Sequence, residues 1–272
     1  MSNLRILYNN LADTATITAS NTAAGFSTDN LKNNNKTSVH RSTGNSVVYT
    51  LTWDTTQSIN GVALPATNLE SGATIRVQVY SASDSTQLIS DTGPALQACK
   101  TRDIVLYNNT NAPSYTDFGF GGATKTSVWF SSLLSTTKIV ITVTSTSTID
   151  CARIICGQYW ESSRQVSRGI TLGYQDSSEL TTTRSGNTYS DRKPISETLS
   201  FDLEYINDVD RQQLQKIMRT WGSNALLYIC VYPDNNNPDI TQSYSIYGRN
   251  NTSSLQNQYY GLYSTSLDIT SW

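Results

Sequence analysis

Histidine is almost absent from this sequence: His40 is the one imidazole among 272 residues. A Ser-His-Asp or Cys-His catalytic system would therefore have to be built around this residue. The segment that contains it, Thr37–Ser42, has neither a nucleophile-elbow pattern nor an acidic side chain. The sequence predicts a protein that is not an enzyme, with no catalytic residues and no cofactor.

Cysteine is sparse as well, and its spacing does not suggest a metal site. The four cysteines are Cys99, Cys151, Cys156 and Cys230, and none of them belongs to a C-x-x-C pair. One histidine and four scattered thiols do not supply the ligand spacing of a zinc site. We expect buried thiols rather than disulfides or metal ligands. A calcium ion held by loop carbonyls and an aspartate stays open at this point, because sequence does not reveal such sites.

Charge is also scarce, which limits the partners to be expected. Charged residues make up 15% of the chain, and the formal net charge is −2. These values give no electrostatic reason to bind nucleic acid or an anionic membrane. No apolar run approaches the roughly 18 residues that a membrane span needs, so we expect no membrane insertion. The apolar run within Met1–Tyr8 is too short for a signal-peptide core, and we expect folding in a reducing cytoplasm.

Alternation of apolar and polar residues is the dominant pattern that is present. Val47, Tyr49, Leu51 and Trp53 occupy every second position of one stretch, with polar residues between most of them. A period of two places one set of side chains in a core and the other in water. Short strands of this kind recur in the first half, with no helical pattern between them. They include 46–53, 59–64, 104–107, 127–130 and 138–144, and a flexible turn is expected at Gly119–Gly122.

The strand spacing and the length of the chain predict an all-β protein with two domains. Short strands at roughly ten-residue spacing are typical of a sandwich or jelly roll. The stretch Glu161–Gly169 has no periodicity and reads as a linker or a crossing strand. We therefore expect a jelly-roll β-sandwich at 1–163 and a second β domain, a β-sandwich or split barrel, at 164–272.

One helix is predicted in the second domain, at about 207–221. Its apolar residues share a single stripe at positions i, i+3, i+4 and i+7. Asn207 is placed to cap the first turn, and Gly222 is placed to end the helix. The stripe consists of Leu214, Ile217, Met218 and Trp221. We expect this face to lie on a sheet.

Sixteen tyrosines and five tryptophans raise a carbohydrate-binding interpretation, because aromatic faces stack on sugar rings. Many of these aromatics, such as Tyr49 and Trp53, fall on predicted inward faces and are better explained by core packing. Residues that flank strands are better candidates for contacts with a glycan. The candidate glycan-binding loop residues are His40, Arg41, Asn68 and Glu70.

Several short segments are spread over about residues 1–160: Leu4–Asn10, Gly25–Phe26, Asn30–Leu31, Ser38–Ser42, Asn68–Leu69, Gly72–Val77 and Ile154–Gly157. Through these segments the first half resembles a discoidin-type (F5/8C-like) jelly roll of the kind found in phage virion proteins.

The second half has a pattern formed by Leu199–Leu203, the helix that ends at Gly222, Leu227–Asp234, Tyr247–Arg249 and Ser264–Ile269. In this pattern it is similar to the tail-tube-like domain of phage distal tail and baseplate proteins. The resemblance implies a structural virion protein of a bacteriophage tail tip that forms a homo-oligomeric ring and links the tube to the tip or fibres. Its partners would be other tail proteins (tube, hub, tape measure or fibres), and assembly would take place in the host cytoplasm.

Two alternatives remain open at this point. The discoidin-like half would instead bind a host-surface glycan, making the chain a carbohydrate-binding adhesion module of the tail. A glycan-degrading tail enzyme is the second alternative, although no pair of the 21 acidic residues stands out as a catalytic pair.

Overall fold

The structure is a computed structural model, and it describes most of the chain. The described residues are 3–70, 72–93, 96–98, 124–167, 169–222, 225–235, 238–251, 254–259 and 261–272. Three sequence expectations lie outside these residues: the strand at 104–107, the turn at Gly119–Gly122 and the burial of Cys99.

Strands dominate the described residues. In chain order they are β1 (Arg5–Leu7), β2 (Thr16–Ala19), β3 (His40–Arg41), β4 (Ser46–Thr67), β5 (Thr74–Tyr80), β6 (Leu88–Asp91), β7 (Leu96–Gln97), β8 (Thr124–Thr144), β9 (Asp150–Cys151), β10 (Ile155–Gly157), β11 (Tyr159–Glu161), β12 (Thr171–Asp176), β13 (Glu179–Thr182), β14 (Thr188–Asp191), β15 (Ile195–Ile206), β16 (Leu226–Cys230), β17 (Ser245–Asn250), β18 (Ser254–Tyr259) and β19 (Leu262–Ser271). The α-helices are α1 (Asp208–Trp221) and α2 (Pro238–Ser243), and short 3-10 helices lie at Leu11–Thr14 and Thr28–Lys32. The all-β class is confirmed, and α2 is a short helix that the sequence analysis did not predict.

The chain forms two compact units. The first comprises Met1–Glu161 and Tyr228–Ser245, and the second comprises Ser162–Leu227 and Ile246–Trp272. The first unit thus takes in a late segment that the sequence analysis assigned to the second domain. The reason lies in the pairing of β1, which is antiparallel to β11 on one side and to β16 on the other.

The first unit is built around a large antiparallel sheet. Its strand order is β3-β9-β4-β8-β5-β6, with β2 and β10 also pairing with β4, and β7 pairing with β5. The alternating stretch of β4 faces the core as predicted, since Val47, Tyr49 and Leu51 have no exposed surface. Side chains from β4, β5 and β8 form one continuous apolar cluster. This packing provides the rigid base for the loops at the end of the sheet.

The two longest strands replace four shorter ones that the sequence pattern predicted. β4 runs unbroken through 46–53 and 59–64, and β8 runs through 127–130 and 138–144. Their mutual pairing shifts register at three places along β4, between Thr52 and Gln57, Ile59 and Gly61, and Leu64 and Thr67. Such irregularities let a long strand bend and keep its partner. The register shifts also interrupt the alternation of apolar and polar residues, which is why the sequence pattern predicts separate strands.

The second unit is an antiparallel sheet with a helix packed on it. Within this unit β19 pairs with β15, β17 and β18, and β12 pairs with β15. Among its described residues the sheet does not close into a barrel.

Helix α1 occupies the predicted position. The side-chain oxygen of Asn207 accepts a hydrogen bond from the Asp210 amide at 2.8 Å. Leu214 and Ile217 are buried, and Gly222, with a φ of 58°, ends the helix. Leu214 and Ile217 of the apolar stripe therefore face the protein interior as predicted.

Candidate functional site

The predicted site residue His40 lies inside the first unit rather than on its surface. Its ring has no exposed surface and is hydrogen-bonded at Nδ1 to the Tyr49 hydroxyl and at Nε2 to the Thr22 hydroxyl, each at 3.0 Å. The His40 and Tyr49 rings meet edge to face, with centroids 5.2 Å apart. Burial lowers the pKa of His40 below its ordinary value. An imidazole that is buried and forms hydrogen bonds at both nitrogens is a structural group, and its ring is not accessible to a glycan.

Arg41, the next residue, does reach the surface. Its guanidinium donates two hydrogen bonds to the Asp150 carboxylate, from Nε and from an Nη atom, each at 2.7 Å. The same guanidinium lies 4.5 Å from the centre of the Phe26 ring. The side chains of Arg41 and Asp150 are 43% and 22% exposed, so a ligand could reach both.

Asn68 and Glu70 hold the segment that carries Asp150. The Asn68 amide donates to the Thr148 carbonyl at 2.8 Å and accepts from the Asp150 amide at 2.7 Å. Glu70 is exposed and accepts a hydrogen bond from the Thr146 hydroxyl at 2.7 Å. Asn68 thus positions the segment, whereas Glu70 presents a carboxylate to solvent.

The structure therefore brings three of the four predicted residues to the surface around residues 146–150. We call Phe26, Arg41, Asn68, Glu70 and Asp150 the Arg41 cluster. Phe26 and Asp150 were not predicted as site residues. Asp150 meets Arg41 across a separation of 109 residues, and no local sequence pattern signals such a pair.

The sequence analysis considered metal ligands and thiols, and the described residues bear on both. No group of three or more His, Cys, Asp or Glu side chains within them could hold a metal ion. The predicted buried thiols are confirmed for Cys151, Cys156 and Cys230, which are free and buried. Burial raises the pKa of Cys151 to about 12 and that of Cys230 to about 11, so both stay protonated and unreactive at neutral pH.

A second surface with functional potential is a long hairpin of the second unit, residues 171–200, which we call the β-arm. At its base β12 pairs with β15, from Thr171 opposite Ser200 to Asp176 opposite Ile195. The hairpin continues outward as β13 and β14 and turns at 183–187. All residues of β13 and β14 are exposed.

The β-arm carries apolar side chains that the described part of the chain leaves uncovered. Leu172, Tyr174 and Ile195 are 46%, 78% and 61% exposed. By register they lie on the same face of the hairpin as Leu199, which is buried. The core-facing side of the sheet thus extends past the core. Leu180 and Tyr189 add two exposed apolar side chains farther out, on opposite faces.

No protein-family model and no curated protein sequence matches this chain. None of the helices in the described ranges is long and apolar enough to cross a membrane.

The solved structures that are similar to part of this chain include carbohydrate-binding modules. Chitosan-binding module 1 from a chitosanase/glucanase of Paenibacillus sp. IK-5 is 16% identical, with a TM-score of 0.39, and the match covers 55% of this chain and 99% of the module. The lectin domain of lectinolysin, complexed with Lewis B antigen, is 13% identical with a TM-score of 0.39, covering 55% and 96%. A fucose-binding module of Streptococcus pneumoniae is 11% identical with a TM-score of 0.38, covering 55% and 95%.

Proposed function

We propose that this chain is a structural assembly protein of a bacteriophage tail tip, whose subunits join into a ring through the β-arm. The observation that carries the proposal is the exposed apolar face of Leu172, Tyr174 and Ile195. Large exposed apolar patches on soluble proteins mark interaction surfaces. The occupant that we infer for this one is a second copy of the same chain.

The strand pairing of the β-arm also favours contact with a neighbouring subunit. A two-stranded hairpin alone is at best marginally stable in water. β13 and β14 pair only with each other among the described strands. A neighbouring subunit that covers the β-arm would stabilise it, and a head-to-tail contact repeated around an axis closes a ring. Such a ring would connect the tail tube to the tip or fibres.

The oligomeric state of the full-length chain tests this proposal. We expect native mass spectrometry to show one discrete oligomer of more than two subunits. The double substitution Tyr174→Ser with Ile195→Ser should yield a folded monomer, because both side chains are exposed in the single chain and contribute little to its stability. Circular dichroism checks that the variant folds.

A matched control removes two exposed apolar residues that lie outside the β-arm. Leu133 and Val209 are 54% and 74% exposed, and Leu133→Ser with Val209→Ser should leave the oligomer intact. A wild-type chain that stays monomeric at tens of micromolar, or a control that dissociates equally, would contradict assembly through the β-arm. The tail setting is tested separately by the neighbouring genes, which should encode tube, hub, tape-measure or fibre proteins.

Carbohydrate binding by the first unit is a second candidate function, and the Arg41 cluster favours it. The exposed Arg41 guanidinium and the partly buried Asp150 carboxylate supply donors and acceptors for vicinal hydroxyl groups, and the Phe26 ring lies beside the guanidinium. This arrangement would make the first unit an adhesion module for host-surface glycan. Chitosan oligosaccharides, Lewis b antigen and fucose are the sugars to test first.

The chain offers an ion pair that serves as a matched control for this candidate. Arg76 and Asp91 also form a doubly hydrogen-bonded pair in the first unit, with side chains 43% and 19% exposed. We expect Arg41→Ala to weaken sugar binding at least tenfold in calorimetric titration, whereas Arg76→Ala leaves it unchanged. Equal effects of the two substitutions, or no binding by the wild type, would remove the Arg41 cluster as a glycan site.

A further inference from the structure

Strand β15 contains a bulge that places a tyrosine in an unusual backbone conformation. The register of β15 against β19 shifts between Leu203 and Ile206, so that Glu204 and Tyr205 together lie opposite Ser264. Tyr205 has a φ of 56°, and it is the one non-glycine residue with positive φ in the described part of the chain. A bulge of this kind re-aims the side chain that it carries.

The conformation of Tyr205 is not explained by packing. A left-handed backbone is unfavourable for a residue with a Cβ atom, and glycine is the usual choice there. The Tyr205 side chain stays 47% exposed, so core burial does little to offset the strain. Strained residues of this type are concentrated at binding and active sites. The exposed ring therefore calls for an explanation in function.

Tyr205 lies at a surface pocket of the second unit with a volume of about 350 Å³. Sites for small molecules typically measure ~300–1,000 Å³, so the pocket is large enough for a small ligand. None of its lining residues belongs to the β-arm or to the Arg41 cluster. The residues that line it are Arg164, Gln165, Ser167, Glu204, Tyr205 and Leu262.

The lining combines a flat aromatic ring and an apolar side chain with several hydrogen-bonding groups. Arg164 supplies donors, Glu204 supplies acceptors, and Gln165 has both types in its amide. One positive and one negative charge balance each other, so the lining selects neither an anion nor a cation. A ligand that fits needs an apolar face for the ring and hydroxyl groups around its edge, and a pyranose sugar has both.

We propose that this pocket binds a carbohydrate, with a sugar ring stacked on Tyr205. In this arrangement Glu204 and Arg164 hydrogen-bond to hydroxyl groups at the edge of the sugar. The site is independent of the assembly proposal, because it uses no residue of the β-arm. It also differs from the Arg41 cluster, which belongs to the other unit.

The first experiment is a printed array of neutral oligosaccharides built from hexoses and N-acetylhexosamines, probed with the full-length chain. The strongest array sugar is then titrated calorimetrically against the wild type and variants. We expect Tyr205→Phe to bind within about threefold of the wild type, because the stacking ring remains. Tyr205→Gly should weaken binding at least tenfold, and Glu204→Gln should weaken it severalfold.

Thermal unfolding separates this role from a structural one. Glycine takes a positive φ without strain, so Tyr205→Gly should keep or raise the melting temperature while it loses the sugar. A structural tyrosine would give the opposite result, a lower melting temperature. Val209→Ala, at an exposed residue of the same unit outside both the pocket and the β-arm, is the control and should bind as the wild type does.

Three outcomes would overturn the proposal. The array gives no sugar above background, Tyr205→Gly retains full affinity, or Arg41→Ala abolishes binding that Tyr205→Gly leaves intact. The last result would place the glycan site in the first unit. The oligomer experiment on the β-arm measures subunit number rather than sugar binding. The assembly proposal and the pocket proposal can therefore fail independently of each other.

Discussion

At the scale of single residues, His40 connects the packing of the first unit to pH. Its ring lies between the hydroxyl groups of Tyr49 and Thr22 and has no exposed surface. Protonation would create a charge away from solvent, and burial therefore lowers the pKa of this imidazole. Because His40 is the one histidine in the chain, its titration can be followed without overlap.

We expect the single histidine resonance in the NMR spectrum to titrate with a midpoint below 6.5, the ordinary value. As pH falls below 6.5, the unfolded chain takes up a proton that the native state does not bind. The free energy of unfolding therefore decreases with falling pH until the lowered native pKa is reached. Above 6.5 the histidine has no effect on the pH dependence of stability.

Comparison with His40→Gln isolates this effect from the carboxylates, because below pH 6.5 the stability of that variant should fall less steeply with pH than that of the wild type. Denaturant unfolding at a series of pH values measures it. A midpoint at or above 6.5 would contradict a pKa set mainly by burial and would mean that the Asp150 charge outweighs it.

At the scale of elements, the β-arm shows where periodicity stops being informative. Its exposed apolar residues, Leu172, Tyr174, Leu180, Tyr189 and Ile195, follow no regular alternation along the sequence. Neither face of the outer hairpin is buried within the chain, so no constraint imposes a period of two. The hairpin is instead defined by strand pairing and by the turn at 183–187, where Gly186 has a φ of 84°. The sequence analysis accordingly predicted no strand there.

Helix α1 is the contrasting case, because one of its faces is buried in its own unit. Burial of Leu214 and Ile217 requires apolar residues at a helical spacing, and that spacing in the sequence predicts the helix. The Asn207 side chain bonds to the amide of Asp210, only three residues away, so the cap can also be predicted from the sequence. Elements whose constraints are local can thus be predicted, whereas a hairpin with no face buried in its own chain cannot.

At the scale of the whole molecule, the first unit is completed by a segment from late in the chain. Ile229 of β16 lies opposite Ile6 of β1 and is 1% exposed. The segment also brings Asp234, whose carboxylate accepts two hydrogen bonds from the Arg5 guanidinium at 2.8 and 2.9 Å. The opening strand of the chain is therefore held from both sides by residues distant in sequence.

This arrangement predicts that a substitution late in the chain will loosen its beginning. Ile229→Ala should lower the free energy of unfolding by about 2–5 kcal/mol, as is usual for a buried Ile→Ala change. Hydrogen exchange should show lost protection at Arg5–Leu7. The matched variant Ile217→Ala, in α1, should instead loosen the second unit. Unchanged exchange in β1 of the Ile229 variant would contradict the division into units.

The sequence alone determined the properties that depend on which side of an element is buried. Alternation predicted the all-β class, and the apolar stripe predicted α1. Periodicity indicates which side chains of an element are buried, but it does not indicate which other strand the element pairs with. Only the tertiary structure decided that β16 joins β1, that Arg41 meets Asp150 and that the described residues leave the β-arm exposed. These contacts join residues far apart in the chain, and such pairs form through packing of the folded molecule.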